Sequence, residues 1–79
     1  MAIKVLSATY GTNGRGYEVT ELCQGRINNG NNNVVVDNDA MGGDPDPGAT
    51  KFFGIHYEFD DGTKVVRGGA EGDFIDLTP

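Results

Sequence analysis

The sequence predicts a small, mostly β protein: an antiparallel sheet or sandwich of five to six strands with one short helix, in a single domain over residues 1–79. Thirteen glycines and seven asparagines separate short clusters of β-branched and aromatic residues, which is typical of strands joined by turns. The second observation is the strict alternation over residues 51–59, KFFGIHYEF. One face of this predicted strand carries four large apolar side chains: Phe53, Ile55, Tyr57 and Phe59.

The first predicted strand covers residues 2–10, AIKVLSATY. Ser7 and Thr9 interrupt one of its faces, so that neither face is cleanly apolar and we expect partial cover on both sides. Residues 11–16, GTNGRG, follow as a predicted loop, in which the Asn13-Gly14 pair suits positive φ.

One short helix is predicted within residues 17–27, YEVTELCQGRI. Thr20 can cap its first turn, Glu21 places a carboxylate where the helix dipole favours it, and Gly25 ends the helix after one or two turns. A strand over residues 17–22 is the alternative. Four side chains are expected to hold the helix against the sheet: Val19, Leu22, Cys23 and Ile27.

The rest of the chain is predicted as short strands and turns. In order these are a turn at 28–33, a strand at 33–37, a loop at 37–48, the strand at 51–59, a turn at 60–62, a strand at 63–67, a turn at 68–72 and a strand at 73–77. The Asn29-Gly30 pair suits a tight reversal, and the consecutive valines at 34–36 indicate burial on both faces. In the last strand Phe74 is expected to point inward, with Ile75 as a second candidate.

The turn DDG sets the register of the predicted hairpin. A three-residue turn with Gly62 in the left-handed conformation places Glu58 opposite Lys64 and Tyr57 opposite Val65. A two-residue Asp-Gly turn would instead place Lys64 opposite an aromatic ring. We predict the first register because it pairs charge with charge and apolar with apolar.

Length, charge and cysteine content restrict the partners. A chain of 79 residues buries only about 60% of its unfolded surface, and Cys23 has no second cysteine with which to form an intrachain disulfide. We therefore expect a homodimer. The net charge of −6 argues against nucleic acid, and no apolar run is long enough for membrane insertion. Without a signal-peptide pattern, the expected location is the cytoplasm, or outside the cell by an unconventional route.

The segment at residues 37–48, DNDAMGGDPDPG, is the strongest candidate for a binding site. Carbohydrate sites combine Asp and Asn side chains and glycine amides with an aromatic ring, for which Tyr10, Tyr17 and Tyr57 are the candidates. The alternative is that the glycines and prolines only shape a wide connection between strands. The predicted ligand-binding residues are Asp37, Asn38, Asp39, Gly42, Gly43, Asp44 and Tyr10.

The same segment has the oxygen ligands that calcium requires. The candidate calcium ligands are Asp37, Asp39, Asp44 and Asp46. The EF-hand pattern fails, because Met41 occupies its fifth position and Gly48 stands in place of the bidentate glutamate. No resident metal or cofactor is therefore expected, and calcium stays an alternative to a solvated acidic turn.

The residues for catalysis are sparse. Ser7 is the only serine and lies in no nucleophile motif, and His56 and Cys23, each the only residue of its type, are distant in sequence. Surface or interface histidine is the expectation for His56, and a small buried side chain the expectation for Cys23. No phosphate-binding glycine loop occurs. We expect no enzymatic activity.

A series of short motifs covers most of the chain. They are Tyr10-Gly11, Glu18-Val19-Thr20, Val36-Asp37-Asn38-Asp39, Gly42-Gly43-Asp44-Pro45 with Pro47-Gly48, and Lys51 with Ile55 and Tyr57. The series resembles the small domain of unknown function at the C-terminus of DnaJ-like subfamily C proteins, which also occurs alone in fungi and bacteria. In size and composition the chain is also similar to small mushroom lectins of the galactoside-binding Lyophyllum type. These resemblances imply a compact β domain that binds rather than catalyses.

The sequence therefore predicts a non-enzymatic carbohydrate-binding module, a lectin of galactoside type, that acts as a homodimer with a glycan ligand. Two alternatives stay open. One is a protein-interaction or structural module that pairs a partner with an edge of the sheet, and the other is a calcium-dependent binding module.

Overall fold

The computed structural model describes residues 3–28, 30 and 33–77 of the chain. Within these residues there are six strands and one helix, which confirms the predicted fold class. The elements are β1 (Ile3–Thr12), β2 (Arg15–Glu18), α1 (Thr20–Asn28), β3 (Asn33–Val35), β4 (Phe52–Phe59), β5 (Lys64–Ala70) and β6 (Phe74–Asp76). In the described part of the chain no helix is both long and apolar enough to cross a membrane.

The strands form two antiparallel sheets. The larger has the order β2-β1-β4-β5, and the smaller pairs β3 with β6. The face of the larger sheet that carries Phe53, Ile55 and Tyr57, called the inner face, packs in one core with Cys23 of α1 and Ile75 of β6. The opposite face, called the outer face, is covered by no element of the described chain. A two-layer domain results, with one bare sheet face.

The β4–β5 hairpin has the predicted register. Tyr57 pairs with Val65 and Glu58 with Lys64, whose ammonium lies 3.4 Å from the Glu58 carboxylate. At the turn, Gly62 has φ +89°, its N–H donates to the Phe59 carbonyl at 2.9 Å, and the ladder continues without a shift. The three-residue turn therefore fixes which side chains of β5 face the core.

A β-bulge explains the mixed faces of β1. The register with β4 shifts between Val5 and Ser7, so that one extra residue, Leu6, occupies the strand there. Ile3 and Val5 are buried before the bulge, and Ala8 and Tyr10 are buried after it, all towards the same core. The expected cover on both sides is therefore wrong: the strand changes which residues it buries halfway along.

The predicted loop at 11–16 is instead the end of β1, a two-residue turn and the first half of β2. Gly11 pairs with Gly16 so closely that a Cβ at position 11 would lie 2.1 Å from the Arg15 carbonyl oxygen. Of the Asn13-Gly14 pair, Gly14 alone has positive φ. Glycine here permits close strand approach rather than a loop.

Helix α1 is longer than predicted, because Gly25 does not end it; it continues to Asn28. The alternative of a strand at 17–22 is also wrong, since β2 stops at Glu18 and the helix begins at Thr20. Val19 and Cys23 are buried as predicted, while Leu22 and Ile27 pack against the core and are partly buried.

Helix α1 lies along the edge of β1 and satisfies its backbone. The Ala8 N–H donates to Thr20 Oγ1 at 3.0 Å, and the Val5 N–H donates to Gln24 Oε1 at 2.7 Å. Gln24 Nε2 in turn donates to the Ile3 carbonyl at 3.0 Å. Thr20 therefore serves the sheet edge through its side chain, besides opening the helix.

Three further expectations are corrected in the second half of the chain. Val35 is 41% exposed, so the three valines alternate instead of being buried on both faces. Phe74 is 63% exposed, and Ile75 is the inward residue of β6. Strand β5 continues to Ala70, which leaves only residues 71–72 as a turn. Of the predicted turn at 28–33, residues 29, 31 and 32 lie outside the described residues, as does residue 2 of the first strand.

Candidate functional site

The loop of residues 37–48 is held together mainly by its own backbone. The Asp37 carboxylate accepts from the Ala40 N–H at 2.6 Å, and the Asp37 carbonyl accepts from the Met41 N–H at 3.0 Å. The Gly43 N–H donates to the Asn38 carbonyl at 2.7 Å, and Met41 is buried in the core. These bonds fold the first half of the loop into a compact turn without helix or strand.

Tyr10 and Asn38 meet beneath the loop. The Tyr10 hydroxyl donates to Asn38 Oδ1 at 2.7 Å, while the Tyr10 ring is completely buried. Burial, followed by the nearby charge of Glu71, raises the pKa of the Tyr10 phenol, so that it stays a donor at neutral pH. This ring offers no surface to a ligand.

The other two tyrosines, Tyr57 and Tyr17, differ in how far their rings are exposed. Tyr57 is completely buried, and its hydroxyl accepts from Arg67 Nε at 2.9 Å. Tyr17 is 42% exposed on β2, and a Cβ on Gly43 would lie 3.4 Å from the Tyr17 hydroxyl. Of the three rings that the sequence offered as a sugar platform, Tyr17 alone has an accessible surface.

The second half of the loop is organised around the ammonium group of Lys51, which the sequence analysis did not single out. The Lys51 side chain is 3% exposed, and its Nζ lies 2.8 Å from Asp44 Oδ1 and 3.5 Å from Glu71 Oε1. It also donates to the carbonyl oxygens of Asp46, at 3.1 Å, and of Ala49. Four oxygens from the loop and from the β5–β6 turn therefore surround one cation that belongs to the chain.

This arrangement bears directly on the calcium alternative. Asp44 and Asp46, two of the candidate calcium ligands, give oxygens to Lys51, and the Asp37 carboxylate accepts from the backbone. No group of three or more His, Cys, Asp and Glu side chains within residues 3–28, 30 and 33–77 is placed to hold a metal ion. The loop oxygens surround an ammonium group, so calcium has no set of free ligands there.

The ion pair between Lys51 and Asp44 shifts the pKa of both groups. The hydrogen bond from Lys51 holds the pKa of the Asp44 carboxyl below its ordinary value of 3.8, and the same bond raises the pKa of Lys51 above 10.5. Both groups are therefore charged across the whole neutral range.

A cavity of about 600 Å³ opens beside this loop. It brings together three of the predicted site residues, Asp37, Asn38 and Asp44, and adds Lys51 and Glu71. Of the other predicted residues, Asp39 is exposed and Gly42 and Gly43 lie outside the cavity lining, as does the buried Tyr10. This cavity is polar and charged, and no aromatic side chain lines it.

A second depression, called the outer groove, lies on the bare face of the larger sheet. It has a volume of about 550 Å³, within the range of small-ligand sites. Its aromatic wall is the Phe52 ring, which is 59% exposed. The exposed polar residues Thr9, Asn13 and Glu18 also line it, as do Thr12 and Tyr17.

The floor of the outer groove is made of glycine backbone. Gly11 lies between Gly16 and Phe52, and Gly54 pairs with Thr9 in the next row of the sheet. Phe52 and Glu18 lie on β4 and β2, with β1 between them, and in adjacent rows of the sheet, since Phe52 pairs with Gly11 and Glu18 pairs with Thr9.

The sequence contains a signal for this groove, which is the presence of glycine within its strands. Glycine inside a strand often marks a place where a ligand or another backbone approaches. The sequence predicts a loop for Gly11 and Gly16, and Gly54 alternates with the four large apolar residues of its strand. The groove becomes visible only when β1, β2 and β4 are placed side by side.

The remaining candidates for chemistry are separate from both cavities. His56 is half-buried on the outer face, where it pairs with Ser7 and Val66. Cys23 is buried as predicted, and this burial raises the pKa of its thiol to about 11, so the thiolate is absent at neutral pH.

Comparisons with models of protein families, with curated proteins and with solved structures found no match to this chain. The resemblance given by the sequence motifs and the one given by size and composition therefore stay predictions.

Proposed function

We propose that this protein is a non-enzymatic carbohydrate-binding domain of the lectin type, and that its glycan lies in the outer groove. The observation that carries the proposal is the exposed Phe52 ring, which lines one groove together with Glu18 and a floor of glycine backbone. A galactoside is the sugar class that the sequence resemblance implies.

The chemistry of the groove suits a sugar better than other ligands. A pyranose has an apolar C–H face, which packs on an aromatic ring, and a rim of hydroxyls, which donate to carboxylates and share hydrogen bonds with hydroxyl groups. Phe52 supplies the ring, Glu18 the carboxylate and Thr9 the hydroxyl. The net charge of −6 disfavours phosphorylated ligands.

The loop predicted from sequence is the competing position for the same function. Asp37, Asn38 and Asp44 line its cavity, but each gives a side-chain oxygen to a partner within the protein. The absence of an aromatic side chain from the lining favours the groove. Asp39 is exposed and keeps the loop testable, because its replacement breaks no bond that holds the loop together.

A homodimer belongs to the proposal. Single protein–sugar sites of this open kind bind weakly, and two copies that engage one multivalent glycan gain effective concentration at the second site. The expected behaviour is weak binding of free sugar and stronger retention on a surface that carries many copies of it.

Four proteins test the proposal on a glycan array and by titration with the sugar that the array selects. Phe52→Ala removes the ring, and Gly54→Val fills the floor, where an added Cβ meets only Thr9 Oγ1 at 3.9 Å, an ordinary contact. Both variants should lose at least tenfold in affinity while their melting temperatures stay near that of the wild type. Asp39→Ala should bind as the wild type does.

The pattern of binding among these variants locates the site. Loss of binding in Asp39→Ala with retention in Phe52→Ala and Gly54→Val moves the site to the loop. No binding of any glycan by wild-type protein at about 1 mM sinks the carbohydrate proposal.

A calcium titration separates the calcium-dependent alternative. Because Lys51 already fills the oxygen cage, glycan binding and the melting temperature should be the same in calcium and in chelator. A melting temperature that rises with calcium would favour the alternative.

A further inference from the structure

Strand β5 is an edge strand whose outward backbone groups can be identified one by one. The Phe59 N–H donates to the Thr63 carbonyl at 2.9 Å, and the Glu71 N–H donates to the Lys51 carbonyl at 2.7 Å. These bonds mark hydrogen-bonded pairs at both ends of the β4–β5 ladder, and the register between them is unbroken.

Hydrogen-bonded and non-hydrogen-bonded pairs alternate along an antiparallel ladder. The residues of β5 that bond to β4 are therefore the odd-numbered ones, from Val65 to Gly69. Lys64, Val66 and Gly68 direct their N–H and C=O groups away from β4.

The outward groups of these three residues form an open ladder. At the end of the strand, Ala70 is already satisfied: its N–H donates to Asp73 Oδ2 at 2.8 Å and its carbonyl accepts from the Asp73 N–H at 2.9 Å. In the larger sheet β5 pairs with β4 alone among the described strands. The open ladder therefore runs from Lys64 to Gly68 and stops there.

Two exposed apolar side chains flank the open ladder. Val66 is 74% exposed and Phe74 is 63% exposed, and both line a concavity of about 380 Å³ together with Arg67 and Asp76. A long edge with apolar side chains beside it is a template for pairing with another strand. The chain has little core to spare, so burial of these groups against a partner would add substantially to its stability.

We propose that the partner is a second copy of this chain, and that the two β5 strands pair antiparallel about a two-fold axis at Val66. This register sets Val66 against the partner's Val66 and Lys64 against the partner's Gly68. It pairs all three outward residues, with two hydrogen bonds for each of the three pairs. The inference gives the proposed homodimer its surface and does not depend on sugar binding.

Self-pairing in other registers is worse on the same grounds. A shift that sets Lys64 against the partner's Lys64 brings like charges together, which is destabilising. The other shifts leave at least one outward residue beyond the overlap of the three-residue ladders. Because the strand complements itself in one register, a second copy fits it without any further sequence requirement.

The charge distribution is compatible with this contact. The chain carries a net charge of −6, but β5 contains Lys64 and Arg67 and no acidic residue. Lys64 is paired with Glu58 of its own chain, and Arg67 lies in the same concavity as Asp76. The edge strand itself therefore carries two positive charges in a chain whose net charge is −6.

Pairing of this kind joins the two larger sheets into one of eight strands, since each copy contributes four. A two-fold axis perpendicular to the sheet keeps both outer faces on the same side. Both outer grooves would then open in one direction, which is the geometry that a multivalent glycan surface requires.

The test uses charge reversal at the axis and reads mass by light scattering during gel filtration. Wild-type protein should show twice the mass of the chain at high concentration and dissociate on dilution. Val66→Lys and Val66→Glu should each be monomeric, because the axis places each new charge against itself. An equimolar mixture of the two should recover the dimer mass.

Three results would overturn the proposal. They are a wild-type protein that keeps the single-chain mass up to about 1 mM, a dimer that persists in both charged variants, and a mixture that stays monomeric while the wild type is dimeric. The last result would leave a dimer that uses a different surface.

Val66→Pro gives an independent check. Proline fixes φ and removes the outward N–H of residue 66, which no bond in the described part of the chain uses, and it is tolerated at edge positions of this kind. The variant should keep the melting temperature of a wild-type sample diluted to monomer and lose the dimer, whereas Val66→Thr, which keeps the donor, should still dimerise. Free sugar should bind all of these variants equally, so that a failed dimer and a failed lectin proposal are distinguished.

Discussion

The exposed strand backbone of the larger sheet is satisfied by other groups at β1 and left unpaired at β5. Along residues 3–8 of β1, helix α1 lies against the edge, and Thr20 and Gln24 bond to the strand where a neighbouring strand would. Along β5 the outward groups from Lys64 to Gly68 meet nothing in the described chain. The backbone of β1 is therefore satisfied along residues 3–8, whereas the outward side of β5 is unpaired among the described strands.

The contrast shows that this chain blocks strand pairing at one stretch of exposed backbone and leaves another stretch free to pair. A helix and two polar side chains are used to prevent pairing at β1, although the residues nearest that edge are largely apolar. At β5 neither a bulge nor a proline interrupts the strand. An uninterrupted edge strand with exposed apolar side chains beside it is a template for pairing with another strand.

Loss of Gln24 should have the largest effect on stability. In Gln24→Ala the Val5 N–H and the Ile3 carbonyl lose their partner together, which costs about 1–3 kcal/mol of the free energy of unfolding. Gln24→Glu keeps the acceptor and loses the donor, so it should fall between. Urea denaturation of monomeric protein measures all three.

The matched change at the open edge is Val66→Thr, at a residue that is 74% exposed. It should alter the free energy of unfolding of the monomer by less than about 0.5 kcal/mol. Equal effects of Gln24→Ala and Val66→Thr would remove the distinction between the two edges.

The next largest effect should be on the pH dependence of stability, through the ion pair between Asp44 and Lys51. The pKa of Asp44 is lowered in the folded protein, so its contribution is present above the ordinary value of 3.8 and is lost as the pH falls through the lowered value. The pKa of Lys51 is raised, so its contribution is present below 10.5 and is lost as the pH rises through the raised value.

Asp44→Asn should therefore flatten both limbs of a plot of melting temperature against pH. Some acid sensitivity should persist, because the bond from the Thr63 backbone also lowers the pKa of Asp61. An Asn variant with the acid limb of the wild type would show that the Lys51 cage does not couple to folding.

The smallest expected effect is a gain. Gly25 lies inside α1, and a Cβ there would meet nothing within 4 Å, so Gly25→Ala should stabilise the protein by about 0.5–1 kcal/mol. Hydrogen exchange locates the gain: the amides of Val5 and Ala8, which bond to α1, should exchange more slowly, and the amide of Val66 should not change. Uniform slowing would mean that the helix and the open edge are not separate units.

Local chemistry carried the sequence prediction where it succeeded. The register of the β4–β5 hairpin follows from one turn and from one charge pair, Glu58 with Lys64, and both are properties of neighbouring residues. The alternation of β4 likewise identifies its buried face without reference to any other strand.

The errors arise where a distant strand decides the outcome. The bulge at Leu6 exists because β1 must stay in contact with β4, and alternation along β1 alone cannot show it. Gly11 and Gly16 look like loop residues until two strands approach at that point. The sequence predicts Phe74 inside, but the register of β6 with β3 turns Ile75 inward.

The candidate site shows the same division between what neighbouring residues indicate and what distant parts of the chain decide. The sequence identified Asp37, Asn38 and Asp44 as a group, and they do line one cavity. It did not identify Lys51, which joins them from across the loop, because a single lysine at the start of a strand gives no pattern. The outer groove depends on three strands being adjacent, so no local reading of the chain contains it.

The ammonium group of Lys51 also frees the loop from dependence on its surroundings. A loop that folds around a dissolved ion is ordered only as far as the free concentration of that ion allows, and it loosens when the ion is diluted or removed. A cation attached to the chain has a fixed local concentration at the four oxygens that surround it, whatever the solution contains. This protein should therefore keep the same loop in an ion-poor medium and in an ion-rich one.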